Sequence, residues 1–471
     1  DPNSKNRIQK NMFSRFSQVA RPTARHVSAR MASTSKKAAR PVASKLTMST
    51  AAIASLGAAA YFTTEEAHCA KSLYNMVAEL GDRMTAIEGA LGVGLSLFRN
   101  ELDAIAAVKK SNPGNRAVKH FDEGWFAGLS LPQQKTMINI VRTGFENADS
   151  GLGCYAMTPS DYDEFSEFFD PLIRDYHKAA KNAVHTTDWD ASAVGENGVL
   201  DVTKLGLPEL SMRVRVGRNL AQFNLPGSMD QAERILFEKT IIKALGKLVD
   251  NPEYGGNIYS LSPDHGDGPN PNLISDAKYN ELVKKHVMFK DMDADPYLKS
   301  AGIASDWPYG RGCWQSADKQ CIVWFGEEDQ LRIMCMKKGK RLDEVFNRLK
   351  KMLDTIESLD GIDFAKSDKY GYITSCPSNL GTGMRASVHI KVPKLTADGQ
   401  ADPHGNSPAC KAICGPLGLS VRGTGGEHTP IGSDGTIDLS PSARLFIKEK
   451  DIITALYQGI SDLMAAEKKC K

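Results

Sequence analysis

Hydrophobic positions recur at helical spacing through residues 100–182, in the pieces IAAVKK, QQKTMINIVRTGF and DYDEFSEFFDPLIRDYHKAA. Acidic residues mark two helix starts in this region, one over Asp161–Glu164 and one at Asp170-Pro171. The pattern therefore predicts a small all-α domain over residues 100–182. Residues 183–207 lose this periodicity and are predicted to form a linker.

From about residue 208 the pattern changes to short alternating runs rich in β-branched residues, which predict strands. These runs are MRVRV, GNIYSL, KQCIVWF, LRIMCM, YGYITS, RASVHIKV and LSVRG. Longer helical patterns lie between them, over Asp230–Leu248, Lys340–Leu359 and Glu449–Lys468. The predicted fold class is α+β, in which the small helical domain precedes a larger domain, residues 208–471, with an antiparallel sheet flanked by helices.

Residues 65–99 show a heptad pattern, because apolar residues there are spaced alternately four and three apart: Leu73, Val77, Leu80, Met84, Ile87 and Leu91. Such a seam is typical of a short coiled coil or of helix pairing. An amphipathic helix packed on its own domain would show the same spacing, so both interpretations stay open.

Composition is ordinary for a globular protein. The 471 residues are 41% hydrophobic and 24% charged, which excludes a collagen and a wholly disordered chain. The mean hydropathy of -0.34 excludes a polytopic membrane protein. The net charge of +3 is unevenly placed: residues 1–64 hold eleven basic residues and a single acid, Asp1, so they carry +10 and residues 65–471 carry −7. This split argues against a whole-chain nucleic-acid binder.

The segment that begins at Met12 is rich in Arg, Ser and Ala and lacks acids, which is typical of a mitochondrial or plastid transit peptide. The apolar stretch Leu46–Phe62 follows and is short of the ~20 strongly apolar residues that a membrane span needs. Together they resemble a two-part sorting signal. We expect localisation to the mitochondrial intermembrane space or inner membrane, with residues 46–100 contacting a membrane or a larger complex. The alternative is a basic tail on a cytoplasmic protein.

Nine cysteines occur without a CxxC pair, so their spacing fits neither a zinc site nor a disulfide framework. Cys376 stands apart because it opens the loop CPSNLGTGMRASVH, whose glycines allow backbone N–H groups to approach an anion. Ser378 is expected to donate a hydrogen bond to the sulfur and to favour the thiolate. The alternative is a glycine turn beside a buried thiol.

Arginines occur on several predicted strands. Arg213 and Arg215 share one face of their strand by the two-residue period, and three more belong to other strands: Arg332, Arg385 and Arg422. Arginines that converge suit a polyphosphate, whereas isolated ones are solvated surface residues. The sequence has no GxxxxGK[ST] motif, which excludes a P-loop NTPase.

Two acidic clusters follow predicted strands, Glu327-Glu328-Asp329 after CIVWF and Glu427-His428 after VRGTGG. Loops at strand ends are a common place for catalytic carboxylates, although acids on solvated turns look the same in sequence.

Taken in order, these motifs resemble the phosphagen (guanidino) kinases, and among them the arginine kinases. The resemblance runs from about residue 100 to the C-terminus and rests on DSGLGCYA, FDPLIRDYH, RVRVGR, WPYGRG, EEDQLRI, CPSNLGTGMRASVHI and VRGTGGEHT. It implies the guanidino kinase fold, which agrees with the predicted domains. It also implies a reversible transfer of the ATP γ-phosphate to a guanidino group, with Mg²⁺ accompanying ATP or ADP.

The resemblance implies three catalytic residues: Glu328, Glu427 and Cys376. It implies that these three also bind the guanidino substrate, together with Ser150, Gly151, Leu152, Gly153 and Tyr155. Nucleotide binding is implied for Ser211, Arg213, Arg215, His286, Arg332, Arg385, Ala386, Ser387, Val388, His389, Arg422, Gly423, Thr424, Gly425 and Gly426. No residue is expected to be a metal ligand. The expected partners are ATP or ADP and L-arginine or a related guanidine, without nucleic acid, and a homo-oligomer is allowed.

The match to Glu427 and to the loop Gly151–Tyr155 favours arginine over creatine, with taurocyamine and lombricine as alternatives. Gly326 and Gln330 depart from the family's usual Asn and His, DLSPSARL replaces the usual DISN segment, and residues 396–408 form an insert. Two other functions stay open, a kinase for arginine in proteins and a structural subunit derived from such an enzyme.

Overall fold

The computed structural model describes residues 93–397, 407–424 and 430–470. The predicted targeting region, the heptad segment up to residue 92 and the residues 425–429 lie outside this part of the chain. Among the described residues, no helix is both long and apolar enough to cross a membrane.

From residue 93 onward, where the described part of the chain begins, seven helices form the helical domain. They are α1 (Val93–Leu97), α2 (Arg99–Ser111), α3 (Arg116–His120), α4 (Glu123–Ala127), α5 (Leu131–Glu146), α6 (Asp161–Glu164) and α7 (Ser166–His177). The longest, α5, begins at a capping box in which Ser130 and Gln133 bond to each other's backbone N–H groups. Its buried face, which includes Met137, Ile140 and Val141, forms the centre of the domain's core.

The prediction of a helix start at Asp170-Pro171 is wrong, because Pro171 lies inside α7. A proline there removes the hydrogen bond to the carbonyl of Glu167, four residues earlier. Glu167 is exposed, so water can satisfy that carbonyl, and the buried residues Phe168, Phe169 and Leu172 hold the helix across the proline.

Residues 183–207 contain turns and one short 3₁₀ helix, Val202–Leu205. This segment is packed against the larger domain along part of its length, because Leu200 and Val202 are fully buried in that domain's core.

The larger domain is built on a sheet that has eight strands among the described residues: β1 (Leu210–Arg218), β2 (Asn257–Ser260), β3 (Gly312–Gln315), β4 (Cys321–Phe325), β5 (Leu331–Gly339), β8 (Met384–Lys391), β9 (Leu419–Arg422) and β10 (Thr436–Pro441). Their order is β2-β3-β4-β5-β1-β8-β10-β9, and every pairing is antiparallel. A separate hairpin holds β6 (Lys366–Ser367) and β7 (Gly371–Tyr372). The α+β prediction of an antiparallel sheet flanked by helices is confirmed.

The predicted strand YGYITS is wrong in extent, since only Gly371 and Tyr372 pair as a strand. The carbonyls of Thr374 and Ser375 instead accept from the helical domain, where Tyr162 Oη donates to Thr374 O and Ala156 N–H donates to Ser375 O, both at 2.8 Å. A segment whose backbone bonds to another domain is not available to a sheet ladder. The strands β3 and β10 were not predicted from the sequence.

In the described ranges of this domain, six α-helices accompany the sheet: α8 (Gln231–Val249), α9 (Asp276–Lys284), α10 (Pro296–Ser300), α11 (Leu342–Glu357), α12 (Pro408–Cys414) and α13 (Glu449–Lys469). One face of the sheet presents Val214, Ile333, Val323 and Val388 to the largest core cluster, together with residues of α8, α11 and α13. Alternation along each strand places the polar residues on the opposite face, where the site described next is found.

Candidate active site

The polar face of the sheet gathers arginines from several strands. Arg215 on β1 lies directly opposite Arg385 on β8, while its neighbour on the same face, Gly217, lies opposite Arg332 on β5. Residues opposite each other in an antiparallel ladder share a face, so these three guanidinium groups are neighbours. Arg213 is two residues before Arg215 and therefore shares the same face.

Arg422 on β9 joins them through Asp438, which is its cross-strand partner on β10. Asp438 also lies opposite His389 on β8 and accepts a hydrogen bond from Arg385 at 2.8 Å. The sheet order thus places all five predicted phosphate arginines on one face, with Ser211, Ser387 and His389.

These cations are packed more closely than the neighbouring acids can balance. Burial lowers the pKa of Arg215 well below its ordinary value, and the charges of Arg332, Arg213 and Arg385 lower it further. Burial likewise lowers the pKa of Arg385 to about 10, with Arg422 adding to the effect. Guanidinium groups that repel one another in a buried setting favour the binding of a polyanion, because it replaces repulsion with attraction.

Arg332 connects the arginines to the acidic cluster. It donates to Glu327 Oε1 at 2.8 Å and to Glu328 Oε2 at 3.3 Å, and its guanidinium carbon lies 5.8 Å from the centre of the Trp324 ring. Burial alone would lower the pKa of Arg332, but the nearby carboxylates together outweigh it and raise the pKa.

Glu328 has a carboxyl group with an unusual affinity for protons. Burial raises its pKa to about 7, and the charge of Asp329 adds to this rise, while Arg332 opposes it. A carboxyl group that titrates near neutral pH suits general acid–base chemistry, and as a carboxylate it can hold a guanidinium.

Asp329 has a structural part in the same cluster. It is 2% exposed, and its Oδ1 accepts from Asn219 Nδ2 at 2.9 Å and from Ser375 N–H at 2.7 Å. It thereby ties β1 to the segment that leads into Cys376. A Cβ atom on Gly217 would lie 2.7 Å from Asp329 Oδ2, so this position of β1 has room only for glycine.

Cys376 lies at the end of that segment, 8% exposed, with its Sγ 3.0 Å from Ser378 Oγ. The predicted contact with Ser378 is present, and it favours the thiolate as expected, but two stronger effects outweigh it. Burial raises the pKa of Cys376 to about 12, the charge of Glu328 adds to the rise, and the contact with Ser378 only partly opposes it. The sulfur is therefore a thiol at neutral pH.

The predicted substrate loop approaches the same place from the helical domain. Burial raises the pKa of Tyr155, and the nearby Cys376 and Glu328 raise it further. The Tyr155 phenol therefore lies close enough to interact electrostatically with both groups. The carbonyl groups of Gly151 and Leu152 accept from the backbone of α3, whereas Ser150 N–H donates to Asn147 O.

His286 is exposed and adopts a positive φ of 57° at the end of α9. The next residue, Val287, accepts a hydrogen bond from Trp324 Nε1 at 2.7 Å. This contact anchors the His286 segment over the arginine face beside Arg332, where the predicted contact with the nucleotide's base would be made.

Some predicted residues are not brought to this face. The side chains of Ala386 and Val388 are fully buried in the core on the opposite face of β8, because they alternate with Arg385 and Ser387. Gly423 and Thr424 directly follow β9. Gly425, Gly426 and Glu427 lie outside the described residues, and their roles stay predictions.

Arg444 is a residue that sequence reasoning missed. It lines the same cleft as Arg215, Arg332, Arg385 and Asp329, and its Nη1 donates to Ser378 O at 3.2 Å. Burial lowers its pKa, although the charge of Glu328 opposes this. The only sequence signal was its place in DLSPSARL, the segment that departs from the family pattern.

The two departures near the acidic cluster have local explanations. Gly326 has a φ of 75°, and a Cβ atom there would lie 2.0 Å from the carbonyl oxygen of Gly310. The amide of Gln330 accepts from Leu220 N–H at 2.7 Å and donates to Asn224 O at 2.7 Å. The Gln330 side chain therefore holds the loop that follows β1, and its hydrogen bonds do not involve the carboxylates of Glu327, Glu328 or Asp329.

Within the described ranges, no group of three or more His, Cys, Asp or Glu side chains could hold a metal ion. The donor set instead suits a metal that arrives with a polyphosphate. Glu327 Oε2 is buried and has no hydrogen-bond partner among the described residues, so it can accept from the water shell of such an ion.

A helical domain joined to an antiparallel sheet, with converging arginines beside a half-buried glutamate and a buried cysteine, defines a kinase of the phosphagen (guanidino) class. The chain belongs to the ATP:guanido phosphotransferase family. The family model for the C-terminal catalytic domain matches residues 237–470, and the model for the N-terminal domain matches residues 128–174.

Among its relatives, arginine kinase Oct f 2 of Amphioctopus fangsiao is 36% identical over 340 residues, covering 72% of this chain and 90% of the relative. An arginine kinase of Liolophura japonica is 35% identical over 335 residues, covering 71% of this chain and 87% of the relative.

Solved structures give the same family. The substrate-free duplicated taurocyamine kinase of Schistosoma mansoni matches with a TM-score of 0.63 and 30% identity over 78% of this chain and 49% of that chain. A lombricine kinase matches with a TM-score of 0.62 and 27% identity over 75% of this chain and 92% of that one. The protein is thus a phosphagen kinase, and its relatives act on several guanidines.

Proposed function

We propose that this enzyme transfers the γ-phosphoryl group of Mg²⁺-bound ATP to L-arginine, reversibly, and gives phosphoarginine, ADP and a proton. The observation that carries the proposal is the position of Glu328, whose carboxyl group has a pKa of about 7. It accepts a hydrogen bond from Arg332 on one side, and on the other it is close enough to Cys376 to raise the pKa of the thiol. As a carboxylate it binds the guanidinium and orients the attacking nitrogen.

In the forward reaction a guanidino nitrogen bonds to the γ-phosphorus while the bond from phosphorus to the ADP oxygen breaks. The nitrogen loses one proton, which Glu328 accepts and passes to solvent. Arg215, Arg332 and Arg385 bind the phosphate oxygens and stabilise the charge that gathers on them. Mg²⁺, bound with the nucleotide, neutralises part of this charge, and Glu327 is the residue we expect to face its water shell. Glu427 is proposed as a second carboxylate on the guanidinium.

The substrate loop supports a free amino acid as the acceptor. Within the described part of the chain, the backbone N–H groups of Gly151, Leu152 and Gly153 donate to no protein acceptor. Three such donors in succession suit a carboxylate. A free guanidino acid supplies that anion, whereas an arginine within a protein does not, so this loop argues against the protein-arginine kinase. The relatives named arginine kinases favour L-arginine, with taurocyamine and lombricine as the alternatives.

A coupled assay of ADP release, with L-arginine, taurocyamine, lombricine, creatine and an end-blocked arginine peptide as acceptors, tests the substrate. We expect the highest kcat/KM with L-arginine. Higher turnover with another guanidine would overturn the substrate and keep the enzyme class, and turnover of the blocked peptide alone would favour the protein-arginine kinase.

The role of Glu328 is tested by Glu328→Gln, which removes the charge and the proton acceptor. We expect kcat to fall by about 10²–10⁴-fold, the usual contribution of a general base. Glu344→Gln is the matched control, since Glu344 is an exposed glutamate that pairs with Lys337. Equal activity of both variants would contradict the assignment.

We also propose that residues 1–64 direct the protein to mitochondria and that residues 46–100 contact a membrane or a larger complex there. The uneven charge and the acid-free N-terminal segment support this. Residues 1–64 fused to a fluorescent protein should reach mitochondria, and a diffuse cytoplasmic signal would contradict the proposal. Co-migration of the full chain with a larger complex on a native gel would support a structural role in addition to catalysis.

A further inference from the structure

The segment Thr374–Ser378, which we call the cysteine loop, is held by groups from both domains. From the helical domain, Tyr162 Oη donates to Thr374 O at 2.8 Å, Ala156 N–H to Ser375 O at 2.8 Å and His177 Nε2 to Pro377 O at 3.0 Å. The carbonyl groups on both sides of Cys376 are therefore fixed by the domain that does not contain it.

The larger domain satisfies the remaining two carbonyls of the cysteine loop. Thr374 Oγ1 donates to Cys376 O at 2.9 Å, and Arg444 Nη1 donates to Ser378 O at 3.2 Å. All five carbonyl groups of the loop thus have a donor. His177 is the last residue of α7, and it bonds to the carbonyl of the residue that directly follows Cys376.

The same turn of α7 also holds the substrate loop. Asp175 Oδ2 lies 3.7 Å from Arg116 Nε, and Arg116 Nη1 donates to Gly151 O at 2.9 Å. The next residue of α3, Ala117, donates its N–H to Leu152 O at 2.9 Å. The end of α7 is therefore connected to both sides of the proposed guanidine site.

The chemistry of His177 suits a fixed contact. A carbonyl oxygen only accepts, so Nε2 must carry the hydrogen. Burial lowers the pKa of His177 and the positive charge of Arg444 lowers it further, so the ring is neutral at physiological pH. Pro377 has a restricted φ, so a bond to its carbonyl limits how far the cysteine loop can rotate.

We infer that His177 is a positioning residue for phosphoryl transfer: by holding Pro377 O from the last turn of α7, it sets the spacing between Cys376 and the substrate loop. That spacing corresponds to the length of the guanidino substrate, from its reacting nitrogen to its anionic end. The inference rests on the proposed guanidine site at Cys376 and Glu328.

The test uses His177→Ala, which removes the donor, and His177→Gln, whose amide can donate at a similar reach. The matched control is Tyr370→Phe, because Tyr370 Oη donates to Asp170, another contact between α7 and the larger domain that leaves the cysteine loop alone. The readouts are the KM for the guanidine, the KM for MgATP and the alkylation rate of Cys376 by iodoacetamide without substrates.

We expect His177→Ala to raise the guanidine KM about 3- to 10-fold, the effect of one lost neutral hydrogen bond, and to change the KM for MgATP by less than about twofold. The ratio of kcat/KM for taurocyamine to that for L-arginine should change, since taurocyamine is shorter. Alkylation of Cys376 should become faster as the loop loosens. His177→Gln should restore all three readouts, and Tyr370→Phe should leave them unchanged.

A parallel rise of both KM values, unchanged alkylation or an equal effect of Tyr370→Phe would overturn the inference. If His177→Ala does not fold, as judged by its thermal melt, His177→Asn replaces it, because its shorter amide cannot reach the carbonyl. A wild-type enzyme that phosphorylates no guanidine would refute the proposed function, whereas the alkylation rates would still decide whether His177 positions Cys376.

Discussion

The replacement Arg444→Gln removes a charge that the sequence motifs did not assign to the site. Arg444 lines the arginine cleft with Arg215, Arg332 and Arg385, and it also donates to the carbonyl of Ser378. A glutamine is two bonds shorter than the arginine, so the variant removes both the positive charge and the contact with Ser378 O. The pH dependence of the rate isolates the effect of the charge.

Two effects add up in this variant. A hydrogen bond from a charged group to a phosphoryl oxygen contributes about 1.5–3 kcal/mol, so its loss should lower kcat/KM about 10- to 150-fold. In addition, Arg444 lowers the pKa of Glu328, which burial raises to about 7. Without Arg444 that pKa rises further, so less Glu328 is ionised at neutral pH and the acidic limb of the rate profile moves to higher pH.

The assay is kcat/KM for the guanidine measured between about pH 6 and pH 9, where a single carboxyl group near neutrality gives one acidic limb. Lys448→Gln is the control, since it removes one positive charge four residues away, on a side chain that is 41% exposed and pairs with Asp188 at 3.6 Å. An unchanged acidic limb in Arg444→Gln, or the same displacement in Lys448→Gln, would refute the reasoning.

Three further predictions concern packing, the thiol and the arginines. Gly217→Ala should destabilise the fold by about 1–3 kcal/mol, because the new Cβ would lie 2.7 Å from Asp329. Gly246→Ala, with nothing within 4 Å of the new Cβ, should stabilise α8 by about 0.5–1 kcal/mol. Equal melting temperatures of the two variants would contradict this prediction. The alkylation rate of Cys376 should rise with pH without a plateau below about pH 9, because its pKa is raised to about 12; a plateau near neutrality would show a thiolate. Arg215→Gln should weaken MgATP binding about 10- to 150-fold without lowering the melting temperature of the free protein, since it removes a half-buried cation that other arginines repel. A large loss of stability would contradict this prediction.

Several parts of the site could be predicted because they depend on short-range pattern. The two-residue period of a strand places Arg213 and Arg215 on one face, and the register shows them there. The ordered motifs located Glu328 and Cys376, and each lies at the edge of the arginine face. Helices with a clear polar and apolar side, such as α11 and α13, lie where the spacing predicted them.

Local pattern failed where distant segments compete for the same groups. The run YGYITS has the alternation of a strand, but the carbonyls of Thr374 and Ser375 bond to the helical domain. Pro171 stays helical because buried neighbours hold it. Ser378 does approach the thiol as predicted, but burial and the charge of Glu328 decide the protonation of Cys376.

The sequence by itself determined the family, the two kinds of domain and the face on which each strand residue lies, since these follow from motifs and from helix and strand periods. Only the tertiary structure decided that β5, β8 and β9 bring their arginines beside β1, and that Arg444 enters the same cleft. The physical reason is that strand order and burial are set by packing between segments far apart in the chain. A charge or a pKa in the site depends on those neighbours and not on the residues next to it in sequence.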